Sequence, residues 1–83
     1  MSAANHNTAS VPLGFLLPGV HARVDALDDR IDPTQREQLV AYGLAPNRPL
    51  VVLQQHPMTI VMIDEVELAL EHSVARHVWV IRR

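Results

Sequence analysis

Five histidines, nine carboxylates and three serines are the residues here that could do chemistry, and their spacing limits what that chemistry is. His6, His21, His56, His72 and His77 form no HxH or HExxH pair that would present two imidazoles to one ion. His72 and His77 fall on different elements, so they read as solvated or locally hydrogen-bonded side chains. Asp25, Asp28, Asp29 and Asp32 lack the glycine and the closing glutamate of a calcium loop. Asp64, Glu65 and Glu67 could pair as acid and base only if one carboxyl were held protonated, and an exposed turn offers nothing to do that. Ser2, Ser10 and Ser73 have no G-x-S-x-G context. Three isolated glycines and the absence of lysine leave no phosphate cradle, and the absence of cysteine removes thiolates, zinc ribbons and iron–sulfur clusters. No catalytic residue, metal site or cofactor is expected.

Composition narrows the class further. The chain has 83 residues, enough for one domain with a small core. A formal charge of −2 with scattered arginines excludes a strongly basic nucleic-acid binder. No apolar run reaches the length of a membrane span, and Met1 to Ser10 has neither the basic nor the apolar region of a signal peptide. The expectation is a small soluble cytoplasmic domain over 11–83 behind a disordered tail over 1–10.

The elements that position these residues are short. Pro12 to Gly19 is an apolar stretch between prolines, long enough for one helical turn that packs Leu13, Leu16 or Leu17 on a core. Val20 to Leu27 alternates with the period of a strand, Val20, Ala22, Val24 and Ala26 inward. Asp32-Pro33-Thr34-Gln35 is a helix start, with Asp32 as cap and Pro33 at the first position, and Gly43 ends the helix after about Tyr42. Its inner face is Arg36, Leu39, Val40 and Gly43. Pro46-Asn47 suits a type II turn. Leu50–Leu53 and Thr59–Ile63 read as a hairpin apolar on both faces, Val66–Leu70 follows a tight turn at Asp64-Glu65, Glu71–Arg76 allows a helical turn, and His77–Ile81 alternates. The sum is a mainly β domain: about five strands, one inserted helix and an N-terminal helical turn. Curling into a small barrel hides apolar residues on both strand faces.

This order of features resembles the FeoA family, small accessory proteins of bacterial ferrous iron transport. The resemblance runs from about Pro12 to Val80 through Leu16-Leu17-Pro18-Gly19, Ala22-Arg23-Val24, Arg36 and Leu39, and Gly43-Leu44-Ala45-Pro46-Asn47. It continues through Pro57 in the hairpin, Leu68-Ala69-Leu70, Ala75 and Val78-Trp79-Val80. Two positions depart from the family pattern, which usually has glycine where Asn47 stands and in the Asp64-Glu65 turn. The resemblance implies an SH3-like barrel, a cytoplasmic location, and a partner, the ferrous iron permease FeoB. The same module resembles the C-terminal domain of metal-dependent repressors, here without a winged-helix segment before it, so DNA reading is not implied.

Val51, Leu53, Trp79 and Ile81 lie opposite the core-facing alternation and are the candidate partner-binding residues. Phe15, Tyr42 and Trp79 are too dispersed to line a groove for proline-rich peptides. The leading reading is a non-enzymatic accessory protein that docks on FeoB. A free-standing SH3-like regulatory module is the alternative, and a small metal-binding protein the third. Apolar edge strands leave weak homo-association open.

Overall fold

The computed structural model describes residues 9–83, so the tail expected over 1–10 lies almost wholly outside the described residues, with His6 and Ser2. Six antiparallel strands form one sheet in the order β1-β6-β2-β3-β4-β5. They are β1 (Val11–Pro12), β2 (His21–Leu27), β3 (Pro49–Gln54), β4 (Thr59–Ile63), β5 (Val66–Leu70) and β6 (Val78–Arg82). A 3-10 turn, η1 (Leu13–Phe15), follows β1, helix α1 (Pro33–Ala41) joins β2 to β3, and a short helix α2 (His72–Ala75) joins β5 to β6. The additional strand, β1, pairs Val11 with Val80 and Pro12 with Trp79. Two residues are too short for alternation to show in the sequence.

The alternation in β2 buries Ala22 and Val24 completely, then breaks. A register shift between Val24 and Ala26 leaves Asp25 without an opposite number on β6, and Ala26 is only half-buried. One core runs through the molecule, built from Val24, Val52, Val61, Val78 and Val80 of the sheet with Leu13 and Leu16 beside η1 and Ile31, Leu39 and Leu44 around α1.

Helix α1 begins as its sequence dictates. Asp32 Oδ2 accepts from the N–H groups of Thr34 (3.1 Å) and Gln35 (3.2 Å), and Pro33 stands where no N–H is needed. Gly43 closes the helix at φ +109, and a Cβ there would lie 3.1 Å from Cγ2 of Ile63. The helix buries only Leu39, and Val40 is exposed. Arg36 explains why so narrow an apolar stripe suffices: its Nη2 donates to the carbonyls of Asp28 (3.0 Å) and Ile31 (3.3 Å), tying the helix to the loop before it.

Both departures from the family's glycines fall on left-handed residues. Asn47 has φ +72 and Asp64 φ +56, the conformation in which Asn and Asp are the favoured non-glycine residues. The Pro46-Asn47 corner closes with Arg48 N–H donating to Ala45 O (3.1 Å), and the Asp64 carboxylate pairs with the Arg48 guanidinium.

Candidate functional site

The most exposed apolar side chains gather around η1. Leu13 and Leu16 fill the core, so the residues between and after them cannot also face inward. Phe15 is 77% exposed and Leu17 is 72% exposed. Pro18-Gly19 then turns the chain back to the sheet, where the Gly19 N–H donates to Val52 O (2.7 Å). Leu53 of β3 lies next to this ridge. A register shift between Val52 and Gln54 leaves Leu53 as the extra residue of a bulge, and it is 40% exposed.

Gln55 locks the arrangement. Its side-chain amide nitrogen donates to the carbonyls of Leu13 (3.0 Å) and Leu16 (2.6 Å), which satisfies carbonyls around the tight turn. Its Oε1 accepts from the hydroxyl of Thr59 (2.7 Å), a side chain with no exposed surface. Its backbone carbonyl accepts from Nε2–H of His72 (2.5 Å). One residue therefore joins η1, the β3–β4 connection and α2.

Two grooves flank the ridge. The first, about 420 Å3, lies between η1 and α2 over Phe15 and Ala75, with His56, His72, Ser73 and Arg76 on its walls. The second, about 350 Å3, runs between the ridge and β3 and is walled by Leu16, Leu17, Pro18 and Leu53. A third hollow of about 320 Å3, between α1 and β5, lies apart from them and holds Tyr42, Leu68 and Glu71. His56 and His72, separate in sequence, meet edge to face with ring centroids 5.3 Å apart. No group of three metal-ligating side chains comes together among the described residues.

The four residues named from the strand pattern divide into two pairs. Leu53 joins the ridge, and Val51 is half-buried beside Met62 of β4. Trp79 and Ile81 are half-buried on β6. Strand β2 runs between the pairs and puts His21 opposite Val51 and Arg23 opposite Ile81. Trp79 is also tied inward, its indole N–H donating to Asp28 Oδ2 (3.4 Å). The Asp28 carboxyl is held below its ordinary range, first by the Arg30 N–H (2.9 Å), against some desolvation, then by the Trp79 bond and the charge of His77.

The sequence offered Leu17 as a core residue beside Leu13 and Leu16, but it is exposed, and the pattern did not single out Phe15, Gln55 or Arg76 as site residues. The two apolar ridge residues had a signal: a run of leucines and phenylalanine between prolines is too short to bury every member. Gln55 had none, because its partners are 4 to 42 residues away.

A coiled antiparallel sheet of short strands with one helix inserted after β2 defines an SH3-like domain. Residues 11–82 match the FeoA domain model, and the chain belongs to the FeoA family. It is similar to an iron uptake regulatory protein (FeoA) at 30% identity, covering 89% of this chain and 97% of that one, with a TM-score of 0.76. It is similar to the FeoA protein from Chlorobium tepidum at 24% identity, over 87% and 70% of the two chains, with a TM-score of 0.80. A manganese-dependent transcriptional repressor shares the fold at 22% identity and a TM-score of 0.83 over 93% of this chain, which spans 43% of the repressor. No curated protein matches.

Proposed function

We propose that this protein is a non-enzymatic, cytoplasmic accessory factor of ferrous iron uptake, which acts by docking on the cytoplasmic part of the permease FeoB. The observation that carries the reading is the ridge of Phe15, Leu17 and Leu53. Three large apolar side chains stay exposed next to a concave surface, in a chain of the FeoA family. Apolar surface left wet in so small a domain marks an interaction site. Val51, Trp79 and Ile81 are half-buried on β3 and β6 and take a peripheral part in this reading. Docking alters the permease only if the chain binds its conformational states with different affinity.

The test is calorimetric titration of the cytoplasmic part of FeoB with the wild-type chain, Leu17→Asp and Leu53→Asp. Saturable binding by the wild type, weakened about tenfold or more in both folded variants, supports the reading. Equal binding by all three removes the ridge from the interface. Absence of binding by the wild type removes FeoB as the partner. A titration with ferrous iron in the same instrument gives no stoichiometric heat if the role in iron uptake is indirect.

A further inference from the structure

The groove between η1 and α2 differs from the rest of the surface in charge. The chain as a whole carries a net −2, yet among the described residues no Asp or Glu lines this groove or the apolar groove beside it. Arg76 stands on its wall and makes no ion pair or side-chain hydrogen bond among the described residues, whereas Arg36 and Arg48 are both engaged with carboxylates. The hydroxyl of Ser73 and the imidazoles of His56 and His72 line the same wall. His72 donates Nε2–H to Gln55 O, which fixes its ring against the β3–β4 connection. On the other side of Phe15 the second groove is walled by Leu16, Leu17, Pro18 and Leu53. An unpaired guanidinium with hydrogen-bonding neighbours beside an apolar slot is complementary to a carboxylate placed next to an apolar anchor.

We infer that the ridge receives a linear acidic segment of a partner protein, an apolar side chain seated between Leu17 and Leu53 and an adjacent carboxylate bound by Arg76. This rests on the docking reading and specifies the chemistry of what docks. An anionic membrane is the poorer match. Attraction to such a surface takes a cluster of basic residues, and Arg76 is the one arginine on either groove among the described residues.

The experiment uses short overlapping peptides that tile the cytoplasmic part of FeoB, with the intact cytoplasmic part and phosphatidylserine vesicles as parallel probes. The tightest tiles carry Asp or Glu within a few residues of Leu, Ile or Phe. Arg76→Glu weakens them about tenfold and Arg76→Gln about threefold, and replacing the peptide acid with Lys restores binding to Arg76→Glu. Raising salt from about 0.05 to 0.5 M weakens the wild type and leaves Arg76→Gln nearly unchanged. Tiles that bind without an acid, or equally to Arg76→Glu, overturn the inference and leave docking intact. Binding of the intact part with no tile bound does the same. Binding by vesicles alone overturns it in favour of a membrane. Failure of the intact part to bind removes the docking reading itself.

Discussion

Replacing Gln55 with Met keeps the length of the side chain and removes its amide. The change deletes two bonds to the carbonyls of Leu13 and Leu16 and strands the Thr59 hydroxyl, which has no exposed surface and, among the described residues, no other side-chain partner than Gln55. Each such bond contributes about 1 kcal/mol net, and an unpaired buried hydroxyl costs about 1–3 kcal/mol, so the loss comes to about 3–5 kcal/mol. A domain of this size has roughly 5–10 kcal/mol in all, so the midpoint of thermal unfolding falls by about 12–40 °C. Urea unfolding followed by the fluorescence of Trp79, the single tryptophan, reads the change directly. The Thr59→Val background sharpens the test. With the hydroxyl gone, Gln55→Met costs about 1 kcal/mol less than in the wild type, because removing both partners leaves no orphan. A Gln55→Met protein that melts within about 3 °C of wild type, or a cost unaffected by Thr59→Val, would refute the place given to Gln55 as the lock on the ridge.

Asp32→Ala removes the cap of α1 and lowers stability by about 1 kcal/mol in urea unfolding, while Asp32→Ser loses less. Gly43→Ala costs about 1–2 kcal/mol, since the residue must hold φ +109 and its new Cβ meets Ile63; thermal melting measures it. Because folding lowers the Asp28 pKa, its contribution is present above the ordinary value of 3.8 and fades as pH falls through the lower folded value. Asp28→Asn is therefore less stable than wild type near neutrality, and the difference shrinks below pH 3.8 in an acid titration of unfolding.

What could be read from the sequence was local. The helix of Asp32 to Gly43, the Asn47 corner and the strand at Thr59–Ile63 are set by neighbours a few residues apart, and the structure has them where the residues place them. The inner face of α1 was read too broadly. Val40 is exposed because Arg36 fastens the helix through carbonyls instead of through apolar contact. The candidate site was only partly legible. Strand alternation put Leu53 outward, and it is exposed, but periodicity does not say which strand lies beside which. Strand β2 inserts between β3 and β6, so Val51 and Leu53 stand apart from Trp79 and Ile81. The ridge depends on Gln55, on the bulge at Leu53 and on the meeting of η1 with α2, all of them contacts between distant segments.

The most direct test of docking through the ridge is an amide chemical-shift map of the isotopically labelled chain titrated with the cytoplasmic part of FeoB. The account predicts the largest shifts at Gly14, Phe15, Leu17, Leu53, Gln55 and Arg76, saturating together. Shifts centred on the hollow between α1 and β5, at Gln38, Tyr42 and Leu68, or no shifts at all, would contradict it.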